Sequence, residues 1–204
     1  MSRQASYGAT ARVGWLEWLP WAAALAVFFS LPEFMPFGAR ILVYILFALS
    51  LDLILGYAGI ITLGHTAFFG LGAYVAGILG AKLGVTDPLL QMAAAAAAAA
   101  ALGVATGAVI LRTKGLTLLM LTLAITTIMF EIANKATGLT GGADGLSGIV
   151  VSPIFGLFRF DMFGKTAYLY CLLVLFIGWW ITRRIVYSPF GASLAGIRVN
   201  ITRA

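Results

Sequence analysis

Apolar runs long enough to cross a bilayer recur along the whole chain, and they constrain its fold more than any other feature. A transmembrane helix needs roughly 20 consecutive apolar residues, because the hydrocarbon core of a membrane is about 30 Å thick. Of the 204 residues, 62% are hydrophobic and 10% are charged, against about 25% charged residues in soluble domains. A porin-type barrel would require alternating segments of about ten residues, and these runs do not alternate. The sequence therefore predicts an all-α, polytopic transmembrane protein.

Six apolar runs are predicted to span the membrane. They lie at residues 15–31, 40–56, 65–83, 89–111, 116–133 and 167–182. Pro32 and Pro36 are predicted to bracket a short loop before the second span. Residues 40–83 are too many for one helix at about 1.5 Å per residue, so they are divided into two spans. The alanine run at 93–101 predicts a helix packed among other helices, because alanine favours helix but is weakly apolar.

The basic residues predict the orientation, since cytoplasmic loops of membrane proteins are enriched in lysine and arginine. With the N-terminus in the cytoplasm, eight of the 13 basic residues lie inside. These are Arg3, Arg12, Arg112, Lys114, Arg183, Arg184, Arg198 and Arg203. A re-entrant loop at 56–74 would move Arg112 and Arg183 outside, which the rule disfavours.

The predicted orientation assigns a side of the membrane to each connecting segment. Residues 1–204 form a single transmembrane domain in this interpretation. Its tail at 1–14 is cytoplasmic, the loop at 134–166 is external, and the segment at 183–204 returns to the cytoplasm.

The stretch at 56–74, GYAGIITLGHTAFFGLGAY, combines a high density of glycine with the only histidine of the chain. Glycine weakens helix and lets backbones approach closely. Broken helices at membrane depth are tolerated where they are buried in protein or line a wet cavity. We therefore predict a break, or tight junction, between the second and third spans, beside a pathway through the membrane. Its glycines are Gly56, Gly59, Gly64, Gly70 and Gly72.

The candidates for lining this pathway are four residues of the break and one acid in a later span. They are Tyr57, Thr62, Gly64, His65 and Glu131. His65 either satisfies the free end of the third helix or contacts substrate. Asp52 either braces the break at Gly56, one turn later, or takes part directly in transport. Glu131 either reaches the membrane interface or lies on the pathway.

The side chains argue against an enzyme. One histidine and one cysteine cannot form a metal cluster, no paired carboxylates stand at helical spacing, and no serine is tied to a base. We predict no metal and no cofactor, and substrate handling within the membrane instead of bond chemistry.

The last residues, 187–204, carry an amphipathic pattern. Three apolar residues share one helical face: Leu194, Ile197 and Ile201. The segment is either an interfacial helix on lipid headgroups or a lever that docks into a cytosolic partner, and periodicity alone slightly favours lipid.

Three stretches, GYAGIITLGHTAFFGLGAY, LTGGADGLSGI and SPFGASLAGIRVNITRA, carry a family resemblance from residue 41 onward. Together, and in this order, they resemble the permease subunits of branched-chain amino acid ABC transporters, in particular the second permease of leucine, isoleucine and valine importers. The resemblance implies a multi-pass permease of the bacterial inner membrane. It would work with a second permease, two cytosolic ATPases that hydrolyse the ATP, and a periplasmic substrate-binding protein, with lipid around it and no nucleic-acid partner.

The resemblance also implies that the tail belongs to a coupling loop that sits in a groove of an ATPase, which reverses the preference for lipid. The matching positions are Phe190, Gly191, Leu194, Ile197, Arg198 and Asn200. Ile60 stands where the family usually has a polar residue, commonly glutamine, and this predicts a locally drier pathway. Val199 stands where an acid is usual, which puts part of the ATPase contact in doubt.

Several alternatives stay open. Members of the resembled family continue past the coupling segment with further spans, so we expect this chain to be an N-terminal portion. Urea and short-chain amide importers are related to the family, and specificity is expected to reside mainly in the separate receptor. The other classes are an ion-coupled secondary transporter that uses Asp52 or Glu131, and a remnant that does not transport.

Overall fold

The computed structural model describes residues 14–110, 112–113, 115–153, 164–191 and 193, and every regular element among them is helical. The α-helices are α1 Leu19–Ser30, α2 Met35–Asp52, α3 His65–Ala81, α4 Pro88–Ile110, α5 Leu116–Lys135, α6 Thr137–Thr140 and α7 Lys165–Val186. Short 3₁₀ turns lie at Trp15–Trp18, Pro32–Phe34 and Gly142–Asp144. Residues 192 and 194–204 lie outside the described part, and with them the predicted coupling positions Leu194, Ile197, Arg198 and Asn200.

Each of the six predicted spans coincides with an apolar helix. Four helical stretches are long and apolar enough to cross a membrane: Pro32–Tyr57, Pro88–Ile110, Leu116–Lys135 and Lys165–Val186. The other two, α1 and α3, are apolar helices of 12 and 17 residues. The protein is therefore a polytopic helical membrane protein, as the hydropathy pattern predicts.

The prolines begin helices instead of bracketing a loop. The prediction of a loop between Pro32 and Pro36 is wrong, because Pro32 opens a 3₁₀ turn and Pro36 lies in the first turn of α2, which begins at Met35. Pro88 likewise opens α4. The N–H groups of a helix's first turn have no intrahelical partner, so proline, which has none, fits there without loss.

The described residues fall into two compact units. One contains the residues up to Ile60 together with those from Gly164 onward, and the other contains the residues from Ile61 to Pro153. The chain passes from one unit to the other between Ile60 and Ile61, inside the glycine-rich stretch. The single domain predicted for residues 1–204 stays a prediction.

The first unit packs α1, α2 and α7 around large side chains. Its buried cluster consists of Met35, Ala39, Leu42, Tyr168, Leu172 and Leu175. Tyr168 is 2% exposed, and its hydroxyl donates a hydrogen bond of 2.8 Å to the carbonyl of Ala24. Its ring also fills the space beside Gly38, where an added Cβ would lie 2.8 Å from the ring. Glycine in α2 therefore makes room for an aromatic ring of α7.

The second unit packs α3, α4 and α5 through small residues. A Cβ added to Gly72 of α3 would lie 3.8 Å from the Cβ of Ala95, within the alanine run of α4. Near the end of α3, a Cβ on Gly80 would lie 2.9 Å from the side-chain nitrogen of Gln91. That nitrogen donates a 2.7 Å hydrogen bond to the carbonyl of Val85. Small residues thus bring α3 and α4 close together.

Candidate functional site

The helix is broken where the glycine density predicts it. A π-helical turn, Leu53–Tyr57, continues α2, and the chain is then non-helical until α3 begins at His65. Gly59 has a φ of +67°, a backbone conformation that favours glycine. Gly70 and Gly72, which were predicted as part of the break, lie inside α3 instead. The break is therefore shorter than the glycine pattern suggests, because helix resumes immediately after Gly64.

Two threonines of α5 hold the backbone at the end of the break. The N–H of Leu63 donates to the hydroxyl of Thr122 at 3.2 Å, and the hydroxyl of Thr126 donates to the carbonyl of Leu63 at 3.3 Å. Both polar backbone groups of Leu63 thus lie within hydrogen-bond distance of hydroxyls one turn apart on α5. The hydroxyl of Thr126 has a nearer acceptor in its own helix, the carbonyl of Thr122 at 3.0 Å, and shares its proton between the two. Backbone groups outside regular structure need such partners in a membrane, where water is scarce.

Gly64, the residue after Leu63, is buried beside Thr122. An added Cβ would lie 3.2 Å from the Cβ and 3.3 Å from the carbonyl oxygen of Thr122. The hydroxyl of Thr62 accepts a 3.0 Å hydrogen bond from the N–H of Gly64, which closes a small turn before α3. The close approach of the break to α5 therefore requires glycine at position 64.

Asp52 lies beside Gly56, at the start of the break, and both residues belong to the first unit. A Cβ on Gly56 would lie 2.9 Å from one carboxylate oxygen of Asp52, so this side chain covers the glycine one turn later. This geometry fits the interpretation in which Asp52 braces the break. Asp52 also lines a cavity, described below, which keeps its direct role in transport open as a prediction.

The other predicted pathway residues are distributed over both units. Tyr57 lies in the first unit, and Thr62, Gly64, His65 and Glu131 lie in the second. His65 opens α3 and is half-buried. Glu131 is exposed on α5, where it lines a shallow groove together with Thr127 and Lys135. Their contact with substrate stays a prediction.

The second unit contains a cavity of about 560 Å³ between α3 and α5. Its lining is mainly apolar, and the polar side chains among it include Thr66, Tyr74 and Thr126. Gly70 also faces the cavity, and an added Cβ there would meet nothing within 4 Å. Gly70 therefore leaves space open, whereas Gly64 permits a close contact, a distinction that glycine density alone cannot make.

The first unit contains a second cavity, of about 540 Å³, between α1, α2 and α7. Three charged residues line it: Glu17 of the 3₁₀ turn before α1, Asp52 of α2 and Arg183 of α7. Glu17 and Arg183 form an ion pair, so the start of α1 lies beside the end of α7. Sequence reasoning did not identify this cavity, since its charges are far apart along the chain.

The TGG motif closes the end of α5. Thr140 is buried, and its hydroxyl lies within hydrogen-bond distance of the carbonyls of Ala133 and Ala136 while it accepts the N–H of Gly142 at 3.2 Å. Gly141 has a φ of +80°, and an added Cβ would collide with the carbonyl of Gly145. The motif thus builds a tight turn that requires glycine at position 141 and is held by the hydroxyl of Thr140.

The SPFG sequence turns the chain sharply after α7. The hydroxyl of Ser188 donates to the carbonyl of Ile185 at 2.6 Å and accepts the N–H of Gly191 at 3.3 Å. A Cβ on Gly191 would collide with the carbonyl of Val186, so the turn packs directly onto the end of α7. Phe190, by contrast, is 61% exposed. Of the predicted coupling positions, Phe190 and Gly191 are the two that the structure describes.

The comparisons with known proteins agree with these motifs. The family model of the permease component of branched-chain amino acid transport systems matches residues 34–204. The chain is also similar to the high-affinity branched-chain amino acid transport system permease proteins LivM of Escherichia coli (strain K12) and of Salmonella typhimurium (strain LT2). Each is 26% identical over 182 residues of alignment, which cover 77% of this chain and 42% of the relative.

The chain thus spans less than half the length of these curated relatives. No solved structure matches it significantly. The family match covers most of the chain, including the broken helix, the TGG turn and the SPFG turn. The chain therefore belongs to the family of permease components of branched-chain amino acid transport systems.

Proposed function

We propose that the chain is a permease subunit of an ATP-driven ABC importer and forms part of the translocation pathway for branched-chain amino acids. The observation that carries this proposal is the family match across residues 34–204. The names of the relatives, which refer to high-affinity branched-chain amino acid transport, support the substrate class.

The proposed partners are a second permease, cytosolic ATPases and a substrate-binding protein outside the membrane. The turn after α7 supports an ATPase contact, because Phe190 is exposed while Gly191 and Ser188 anchor the turn to the helix. An exposed aromatic side chain on a fixed backbone is a typical anchor for a groove on another protein. In this proposal the ATP is hydrolysed by the partner subunits.

The broken helix is proposed to lie beside the pathway, with Tyr57, Thr62, Gly64, His65 and Glu131 as its candidate lining. Binding of the loaded receptor and closure of the ATPases would bias the permease between outward and inward access, since each partner favours one of the two states. The hydrogen bonds from α5 to Leu63 would keep the break in place during this change.

We also propose that the N-terminus is cytoplasmic and that the protein resides in the bacterial inner membrane. The ion pair between Glu17 and Arg183 supports an even number of crossings, because it places the start of α1 and the end of α7 at the same end of the first unit. An even number of crossings between them, as in the six-span prediction, has that consequence. The basic residues of the loops are the support for a cytoplasmic N-terminus. The basic residues Arg183 and Arg184 then lie inside.

Reconstituted transport tests the proposal. The chain would be co-expressed with the second permease and the ATPases encoded in the same genome, placed in proteoliposomes, and assayed for uptake of labelled leucine with receptor or ATP omitted in turn. We expect uptake to require both. Uptake driven by a pH gradient without ATP would contradict the proposal and favour an ion-coupled transporter that uses Asp52 or Glu131. Uptake of urea in place of leucine would support the assignment as an ABC permease but contradict the proposed substrate class.

A further inference from the structure

Arg183, in the last turn of α7, is held by three side chains. Its guanidinium forms an ion pair with the carboxylate of Glu17. The ring centroids of Trp179 and Tyr187 lie 5.5 Å and 5.1 Å from the guanidinium carbon, within the range of cation–π attraction. The side chain is 15% exposed. A planar guanidinium that is paired and stacked in this way has a defined position.

Glu17 belongs to a different part of the chain, the 3₁₀ turn Trp15–Trp18 that leads into α1. The ion pair therefore joins the start of α1 to the end of α7 beside the cavity of about 540 Å³. Trp21 of α1 adds edge contacts to Phe176 and Trp179, at centroid distances of 5.1 Å and 5.7 Å. These contacts connect α1 and α7 at this end of the unit, next to the cavity that both helices line.

Arg183 is also connected to the SPFG turn by a short path. The N–H of Tyr187 donates to the carbonyl of Arg183 at 3.0 Å, and the next residue, Ser188, begins the turn that carries Phe190. Gly191 packs against the end of the same helix. Because these contacts leave little freedom between Arg183 and the turn, a displacement of Phe190 would also displace Arg183.

We propose that Glu17 is a positioning residue for coupling between this permease and its ATPase. Glu17 holds Arg183, and through it the SPFG turn, so that movement of the turn is passed to α1 as well as to α7. This inference rests on the proposed function, in which the segment after α7 contacts the ATPase. Without the ion pair, α7 would move alone and less of the ATP hydrolysis would produce transport.

The test measures leucine uptake per ATP hydrolysed in proteoliposomes that contain the assembled transporter. Glu17→Gln keeps the shape of the side chain and removes its charge. The matched control is Glu33→Gln, which changes an exposed acid in the turn Pro32–Phe34. We expect Glu17→Gln to assemble normally, as judged by co-purification of the ATPase, and to lower the uptake ratio about fivefold, the low end of typical coupling between sites. Glu33→Gln should leave the ratio unchanged.

Three outcomes would overturn the inference: an unchanged ratio in Glu17→Gln, an equal fall in Glu33→Gln, or failure of Glu17→Gln to assemble, which would assign the ion pair to folding. The exchanged pair, Glu17→Arg with Arg183→Glu, adds a second test. It should recover at least half of the ratio that Glu17→Arg alone loses, and absence of recovery would also contradict the inference. If the unaltered transporter shows no ATP-dependent uptake, the proposed function itself fails.

Discussion

The two units of this permease hold their helices together in different ways. The first unit buries large side chains, and its cluster centres on Met35, Tyr168 and the leucines of α2 and α7. The second unit buries mainly small and polar residues, with Pro88 and Leu118 as the larger apolar exceptions. Its buried positions include Gly64, Ala67, Gly77, Gly80, Gln91, Leu118, Thr122 and Thr140. Large interlocking side chains hold the helices of the first unit together. Close approach of helix backbones, together with hydrogen bonds, holds those of the second.

The packing of the second unit is the kind expected for helices in a membrane. Lipid tails are as apolar as leucine, so helices in a bilayer gain little from hiding apolar surface and associate through packing, small residues and hydrogen bonds. A unit that packs through large side chains should lose most stability when side-chain volume is removed. A unit whose backbones approach closely should lose most stability when side-chain volume is added or a hydroxyl is removed. The following substitutions test that contrast, from the largest expected effect to the smallest.

Removal of volume from the first unit should have the largest effect. Tyr168→Ala would empty the space between Gly38 and Ala24 and remove a hydrogen bond. We expect a loss of about 3–5 kcal/mol in stability, the usual range for a buried aromatic residue, measured by thermal unfolding in detergent. The control, Leu169→Ala, changes a neighbouring side chain that is 42% exposed. Equal losses in both variants would contradict the importance of interlocking bulk.

Addition of volume to the second unit should come next. Gly64→Leu would force the break away from Thr122, because even a Cβ would lie 3.2 Å from that side chain. We expect a loss of about 3 kcal/mol, as for strong overpacking, and loss of leucine uptake. Gly70→Leu is the matched control for stability, since an added Cβ meets open space there. A stable Gly64→Leu protein would show that the break is not held closely.

The same position also separates packing from substrate contact. Gly64→Leu should reduce uptake of leucine more severely than His65→Gln, because the glycine permits the close approach to α5 whereas the histidine lies half-buried at the start of α3. Uptake assays of the two variants at equal protein levels provide the comparison. The reverse ranking would favour direct contact between His65 and substrate.

Loss of a single hydroxyl from the second unit should have a smaller effect. Thr122→Val would leave the partly buried N–H of Leu63 without its partner, and a polar group left unpaired where water does not replace the partner costs about 1–2 kcal/mol. Thr127→Val is the matched control, since the hydroxyl of Thr127 donates within its own helix, to the carbonyl of Leu123. Thermal unfolding of both variants measures the difference, and a larger loss in Thr127→Val would refute the role of the Thr122 hydroxyl in holding the break.

The smallest effect is expected from the corresponding change in the first unit. Tyr168→Phe keeps the ring and removes the hydroxyl that bonds to Ala24. Hydrogen bonds between transmembrane helices contribute about 0.6 kcal/mol on average, so stability should fall by about that amount and by less than in Thr122→Val. A larger loss in Tyr168→Phe would show that the first unit also depends on hydrogen bonds.

The helices were predictable because their signals are local. Apolar runs located all six, and the glycine density located the break before His65. The error at Pro36 was also local, since proline was read as a loop residue although the first turn of a helix accepts it. A proline just before an apolar run could have been recognised as a helix start.

The candidate site was predictable only in part. The stretch around Gly64 was identified, but Thr122 and Thr126, which bind its backbone, were not, because threonines in an apolar helix resemble ordinary lining residues. The face of α5 that meets the break could have been suspected from the four-residue spacing of the two threonines. Spacing alone, however, does not reveal the partner.

The sequence by itself determined that the protein is helical, that it crosses a membrane, where its helices break and to which family it belongs. Hydrophobicity, helix propensity and motif spacing act within single segments, so they can be read without a fold. Only the tertiary structure decided that Gly64 allows a close contact while Gly70 opens a cavity, and that Glu17 meets Arg183 across 166 residues of chain. Contacts between helices depend on how the helices pack, and that geometry is set jointly by many residues that are distant in sequence.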